Sequence, residues 1–266
     1  ANYSLDKALG SKPDFLPALV LRTEIEIRQR EFAKAEQRIR QIGERAAGAA
    51  LALRLQGDLA MARGQQVEAL SAYGNALKKD DSVDMVLRLF RAQVAAGDLA
   101  KGVTFLDKWQ RSHPDDVVVL RTIGDADLEL GNHTAARNSY ERILKLTPDD
   151  GSVWNNLAQV AFAQRDKAAL GFAERAYALR SNDPAVIDTL GWFLFQDGQL
   201  DRGLALLRDA RLRDSANAEI RYHLAAALAK SGRRTEARAE IAQALKISSS
   251  FAGVEDARRL STELSR

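Results

Sequence analysis

The sequence predicts an all-α solenoid, a tandem stack of helical hairpins, on three spacing patterns that agree in frame. Turn glycines give the first: Gly64, Gly97, Gly131, Gly198 and Gly232 lie 33, 34, 67 and 34 residues apart, and 67 is one 33-residue step plus one of 34. A second set, Gly57, Gly124 and Gly191, precedes three of those turns by seven residues. Small residues form the third, five places after each turn, at Ala69, Gly102, Ala136, Gly203 and Ala237. The prolines keep the same frame. Pro13, Pro114 and Pro148 fall between units, and Pro17 and Pro184 fall at helix starts, where a fixed φ and a missing amide hydrogen are tolerated.

Cutting at these marks orders the chain. Residues 1–15, with Ala1, Leu5, Ala8 and Pro13, read as the second helix of a truncated repeat. Seven units follow at 16–49, 50–82, 83–116, 117–150, 151–183, 184–217 and 218–251, and 252–266 read as a capping helix. Each unit reads as two helices. In 117–150, Val119, Leu120, Ile123 and Leu128 make one apolar stripe, and Gly131 supplies the left-handed residue that ends a helix. Ala136, Tyr140, Ile143 and Leu144 make the second stripe, which Thr147-Pro148 stops. Asp183, just before Pro184, reads as an N-cap.

Packing within a unit follows from residue size. Gly57, Gly124, Ala158, Gly191 and Ala225 let paired helices approach, and Tyr73, Tyr140 and Leu207 fill the space beside them. The first unit carries Arg22 and Thr23 where leucine and a small residue are expected, and the fifth has lost a residue around 164–166, so these two should be irregular. At the end of the chain Val254, Ala257, Leu260 and Leu264 form a stripe opposed by Glu255, Asp256, Arg258, Arg259 and Glu263. That is the solvating face a terminal solenoid helix requires. Residue 1 falls inside a repeat, which points to further repeats upstream.

Composition narrows the function classes. The 266 residues are 46% hydrophobic and 28% charged, enough for a packed body. No cysteine is present, which removes disulfides, thiolate nucleophiles and cysteine-based metal sites. The apolar runs at 15–21 and 46–53 fall short of the roughly 18 residues that span a bilayer. Thirty-nine basic against 36 acidic side chains leave +3, too little for a strong positive field. His113, His133 and His223 have no partner at ligand spacing, and no phosphate-cradling GxxxxGK[ST] or strand-borne GxGxxG occurs. The reading is therefore non-enzymatic, with no catalytic residue, metal or cofactor.

On these residues the chain resembles the tetratricopeptide repeat family. Trp154, Leu157 and Ala158 stand at the first marks of its 34-residue pattern in one unit, and Gly131, Ala136, Tyr140 and Pro148 at the later marks in another. The resemblance covers nearly the whole chain and implies a right-handed superhelix whose concave groove, lined by the first helix of each unit, binds a protein or peptide.

Projected onto that frame, the inward stripe comprises Arg54 and Asp58, Leu87 and Arg91, Arg121 and Asp125, Asn155 and Gln159, Asp188 and Trp192, and Tyr222 with Ala226, with Asn156 alongside. Asn155, Asn156 and Gln159 suit the hydrogen-bonding of an extended backbone, and Trp192 and Tyr222 supply flat contact area. Trp109 and Trp154 read as core, while Phe162 and Phe195 read as groove floor. Asp58, Asp125 and Asp188 interrupt the arginines, which argues against nucleic acid. Chaperone-binding members of the family use lysine and asparagine at fixed groove slots; Asn156 matches one, but Leu87 and Arg121 stand where lysine belongs.

A narrower resemblance rests on Asp188-Thr189-Leu190-Gly191-Trp192, Tyr222-His223-Leu224-Ala225 and Ser231-Gly232-Arg233. These are similar to the C-terminal repeats of bacterial tetratricopeptide lipoproteins of the exosortase/PEP-CTERM sorting and exopolysaccharide system. That resemblance implies a periplasmic or outer-membrane scaffold and assigns no catalytic residues. Two other readings compete with it: the substrate-selecting arm of a larger enzyme such as a glycosyltransferase, and a helical-repeat RNA binder.

Overall fold

In the computed structural model, which describes residues 2–45 and 47–265, the backbone is helical throughout, with no strand among the described residues. Of the sequence readings, those on Ala1 and Ala46 lie outside the described residues. The chain divides into two compact units, Ala1–Val119 and Leu120–Arg266. The first holds α1 (Asn2–Ser11), α2 (Leu16–Arg28), α3 (Phe32–Gly43), α4 (Ala49–Arg63), α5 (Gln66–Leu77), α6 (Val83–Ala95) and α7 (Leu99–Ser112). Helix α8 (Val117–Glu129) starts at its end. The second unit continues with α9 (His133–Leu146), α10 (Gly151–Ala163), α11 (Ala169–Leu179), α12 (Pro184–Gln196), α13 (Leu200–Arg213), α14 (Ala218–Lys230), α15 (Arg234–Ile247) and α16 (Val254–Ser265). Seven hairpins follow α1, from α2–α3 to α14–α15, and α4 begins at Ala49, one residue before the 50–82 interval.

The close-approach positions set how deeply the helices of a hairpin interlock. A Cβ on Gly57 would stand 2.3 Å from the Tyr73 ring, and one on Gly124 would stand 2.8 Å from Tyr140. Both tyrosines are buried in consequence, Tyr140 completely. Their hydroxyls each donate 2.7 Å hydrogen bonds, to Asp58 and Asp125. Burial, reinforced by those carboxylates, pushes both phenols far above the ordinary tyrosine range. Along α16, Ala257 and Leu264 are buried and pack into the cluster of α13, α14 and α15.

Each first helix from α8 onward begins on a capping side chain at a 33- or 34-residue interval. Asp116 accepts from the amides of Val118 and Val119, Asp150 from Ser152 and Val153, Asp183 from Ala185, and Asn217 from Glu219 and Ile220. Such a cap is worth about 1 kcal/mol, and it fixes the helix starts to a common level.

The turns show that the glycine comb is two members longer than its glycines. Arg30 and Arg165 adopt left-handed backbone conformations, φ 62° and 56°, at the positions where Gly64, Gly131 and Gly198 stand in other hairpins. The fifth unit is irregular as expected, because α11 starts four residues after its turn residue whereas α9 starts two after Gly131. The first unit is not. Thr23 fills the small-residue slot, fully buried, with its hydroxyl donating to the Leu19 carbonyl at 2.8 Å, and Arg22 turns outward to Asp6 and Glu26. Arg165→Gly is expected to stabilise the protein by about 0.5 to 1 kcal/mol, since the left-handed strain relieved exceeds the added chain entropy. Urea denaturation reads this directly; a destabilised variant would contradict it.

Two expectations of burial need correction. Trp109 and Trp154, read as core, are half-buried. Each indole N–H must find an acceptor, and both find one at a loop, Asp116 at 3.2 Å and the Pro148 carbonyl at 2.8 Å. Trp109 stacks on His113 at 3.8 Å, and Trp154 leans on Phe172.

Candidate site on α10, α12 and α14

Within each unit first helices of neighbouring hairpins lie side by side, as α2 with α4 and α10 with α12, and polar side chains bridge them. In the first unit Arg54 on α4 binds Glu24 on α2 at 2.8 Å and Asp58 at 3.3 Å, and Asp58 also receives Arg88 from α6. In the second, Arg121 on α8 reaches Asp150 and Ser152, and Asn156 on α10 donates to Asp125 at 3.0 Å. Burial would raise the Asp150 carboxyl, but bonds from Ser152, the Val153 amide and Arg121 hold it below the usual range. Five of the eleven candidate residues, Arg54, Asp58, Arg121, Asp125 and Asn156, are thus engaged in joining hairpins. Arg91 is exposed and stands apart from the pocket described next.

The remaining candidates converge on the second unit. Gln159, Asp188 and Trp192 line one pocket of about 250 Å³ between α10, α12 and α14. Asn155 and Tyr222, by contrast, are buried, 6% and 8% exposed. Tyr222 packs against Trp192 and Phe251, so its ring is part of the support behind the pocket. The position five residues into a first helix thus sinks between neighbouring helices, whereas the position four further on stays accessible at Gln159 and partly so at Trp192.

Residues beyond the eleven candidates complete it, among them Phe162 and Phe195, which the sequence places on the groove floor, and His223, Phe193, Asn217 and Glu219, which it does not place in the groove. Asp188 Oδ2 stands 2.8 Å from His223 Nδ1, both side chains about nine-tenths buried, so this pair bridges α12 and α14. Trp192 stacks on the His223 ring at 4.1 Å and leans on Phe195 at 5.2 Å. Across the pocket Phe162 stacks on Phe193 at 4.3 Å while keeping 39% of its surface exposed. Glu219 and Asn217, at the start of α14, close one end. Two signals for them exist in the sequence: the 33- to 34-residue series of caps ending at Asn217, and the 35-residue separation of Asp188 from His223 in a 34-residue frame.

Burial pushes the Glu219 carboxyl above the ordinary glutamate range; His223 opposes this and Asp188 adds to it. A folded-state value above the unfolded one means the stabilising contribution is full below the unfolded value and is lost as pH rises through the folded one. Glu219→Gln is therefore expected to raise the melting temperature at neutral pH and to leave it unchanged well below the glutamate range. Equal effects at both pH values would contradict this. Among the described residues no three His, Cys, Asp or Glu side chains group so as to hold a metal, and no helix is long and apolar enough to cross a membrane.

Helical hairpins repeated in tandem, with neighbouring first helices side by side within each unit, define a helical-repeat solenoid. More narrowly, the fold is that of a tetratricopeptide-repeat solenoid, and residues 121–184 match the tetratricopeptide repeat model. Residues 162–244 match the model of anaphase-promoting complex (cyclosome) subunit 3. No curated protein sequence matches the chain. Among solved structures it is similar to a tetratricopeptide repeat protein from Parabacteroides merdae, at 13% identity and TM-score 0.69, over 93% of this chain and 98% of that one. It is also similar to a chain of the APC/C hetero-tetramer Cut9-Hcn1, at 17% identity and TM-score 0.67, over 98% of this chain but only 52% of that one. YrrB, described as a TPR protein with an unusual peptide-binding site, aligns at 19% identity and TM-score 0.51, over 72% of this chain and all of that one. At these identities the likeness is one of fold.

Proposed function

We propose that this protein is a non-enzymatic scaffold that receives an extended segment of a partner protein on the face formed by α10, α12 and α14. The observation that carries this reading is the pocket itself, where the amide of Gln159 and the polar Asn217 and Glu219 face exposed aromatic surface of Phe162 and Trp192. Hydrogen-bonding groups beside flat apolar area suit a peptide backbone and its side chains. On the same helices Asn156 and Arg221 are spent on bonds to neighbouring helices. The fold of YrrB, with its peptide-binding site, is consistent with this use of the architecture.

The test is to pan displayed random peptides on the immobilised protein and to map an enriched peptide by amide hydrogen exchange. Protection confined to α10, α12 and α14 is expected; no enrichment, or protection on α11 and α13 instead, would overturn the reading.

The finer assignment, a bacterial envelope lipoprotein of the exopolysaccharide and PEP-CTERM system, belongs to the same proposal. Its support is that the motif residues Asp188, Trp192, Tyr222 and His223 meet at one place, the pocket and its backing. Fractionation of the native host tests it: the protein should sediment with the envelope, and recovery in the cytosol would remove this part.

A further inference from the structure

The charges around the pocket are not arranged as they are elsewhere. At Asp58, Asp125 and Asp150, between neighbouring first helices, an arginine or a tyrosine–amide pair meets the carboxylate. The α10–α12–α14 pocket holds Asp188 and Glu219 and has no lysine or arginine among its lining side chains, in a chain with 39 of them. Asp188 is 7% exposed, and its Oδ1 is buried without a hydrogen bond while Oδ2 meets His223. Asn155, behind it on α10, also keeps a buried Oδ1 without a partner. The Glu219 carboxylate makes no ion pair with any described residue, and burial works against its ionised form. A buried acceptor left unpaired is costly to keep. Two acidic side chains and an orphaned acceptor around one open pocket call for a donor from outside.

The aromatic surface narrows what that donor is. Phe162 is backed on Phe193 with its rings nearly parallel, 10° apart, and remains exposed. Trp192 is held against His223 in the same way. Flat, rigidly backed rings beside carboxylates suit a planar, multiply donating cation better than a compact ammonium, because a guanidinium stacks on a ring face while its N–H fork meets oxygens. Resting on the peptide-scaffold reading above, we propose that this pocket is the receptor for an arginine side chain of the bound segment, with Glu219 and the free oxygen of Asp188 as its acceptors and Phe162 and Trp192 as its walls.

The test uses N-acetyl-arginine methylamide as probe, with its citrulline and lysine counterparts, and follows the Trp192 indole N–H resonance of the full chain, assigned with Trp192→Phe. The arginine probe is expected to shift this resonance saturably. The citrulline and lysine probes should bind at least fivefold more weakly, as should the arginine probe to Glu219→Gln. Because glutamine preserves the shape of the side chain, that variant should remain folded; Phe162→Ala, which removes a half-exposed ring, serves as a second variant and should also weaken the arginine probe. Equal binding of arginine and citrulline, equal binding of arginine and lysine, or an unchanged Glu219→Gln would each overturn the proposal. If panned peptides protect this face without needing arginine, the scaffold reading stands and this inference falls. If no peptide is enriched, the scaffold reading falls, and the probe titration still decides the pocket.

Discussion

Gly203→Ala is expected to destabilise the protein by about 3 kcal/mol, at the upper end of what overpacking by one methyl group does, and to lower the melting temperature by roughly 10 °C. The sequence frame suggests the opposite, since Ala69, Ala136 and Ala237 occupy the same slot and are fully buried without harm. The difference lies in the partner helix. Gly203 on α13 faces Gly191 on α12, so a Cβ would stand 2.7 Å from the Gly191 carbonyl oxygen and 2.8 Å from the Phe195 amide nitrogen. These are backbone atoms of a regular helix, and they cannot rotate away as a side chain does. Gly124→Ala meets the Tyr140 ring instead and should cost less. Gly198→Ala meets nothing within 4 Å and strains only a φ of 84°, about 1 kcal/mol. Thermal melts of the three variants should rank in that order. A Gly203→Ala protein that melts like the parent would show that α12 and α13 are not in backbone contact.

The periodic features were legible in the sequence because each has a covalent cause. Glycine at a left-handed turn, proline at a helix start and a small residue opposite a large one are constraints on single residues, so their spacing reports the hairpin length. Where a different residue meets the same constraint, the pattern goes silent. Arg30 and Arg165 occupy turn positions, and Thr23 fills a small slot by bonding back to Leu19. The candidate site was half legible for a related reason. A helical frame gives the face of each residue but not its depth, and depth depends on how closely neighbouring hairpins stack. Arg121 and Asp188 share a frame position, yet one spans to a cap on the next helix and the other is buried against a histidine. Glu219 is silent in the sequence because a carboxylate in the first turn of a helix reads as an ordinary dipole partner, and its surroundings without lysine or arginine appear only once the neighbouring helices are in place.

Asp188→Ala carries the second large expectation, a loss of about 3 kcal/mol, because it strands the largely buried His223 Nδ1 and removes the side-chain bridge from α12 to α14. Replacing both partners is expected to behave differently. Asp188→Leu with His223→Leu exchanges a buried polar pair for apolar side chains next to Trp192 and Tyr222, and such exchanges are commonly neutral or stabilising. Stability within about 1 kcal/mol of the parent is therefore expected for the double variant by urea denaturation. The comparison decides why the pair is there. If apolar residues hold the helices together equally well, then folding alone does not call for a carboxylate at 188, and the carboxylate that lines the pocket is left to recognition. The double variant should then be folded yet unresponsive to the arginine probe. A double variant as unstable as Asp188→Ala would make the pair a structural clasp between hairpins and would remove that argument for the pocket.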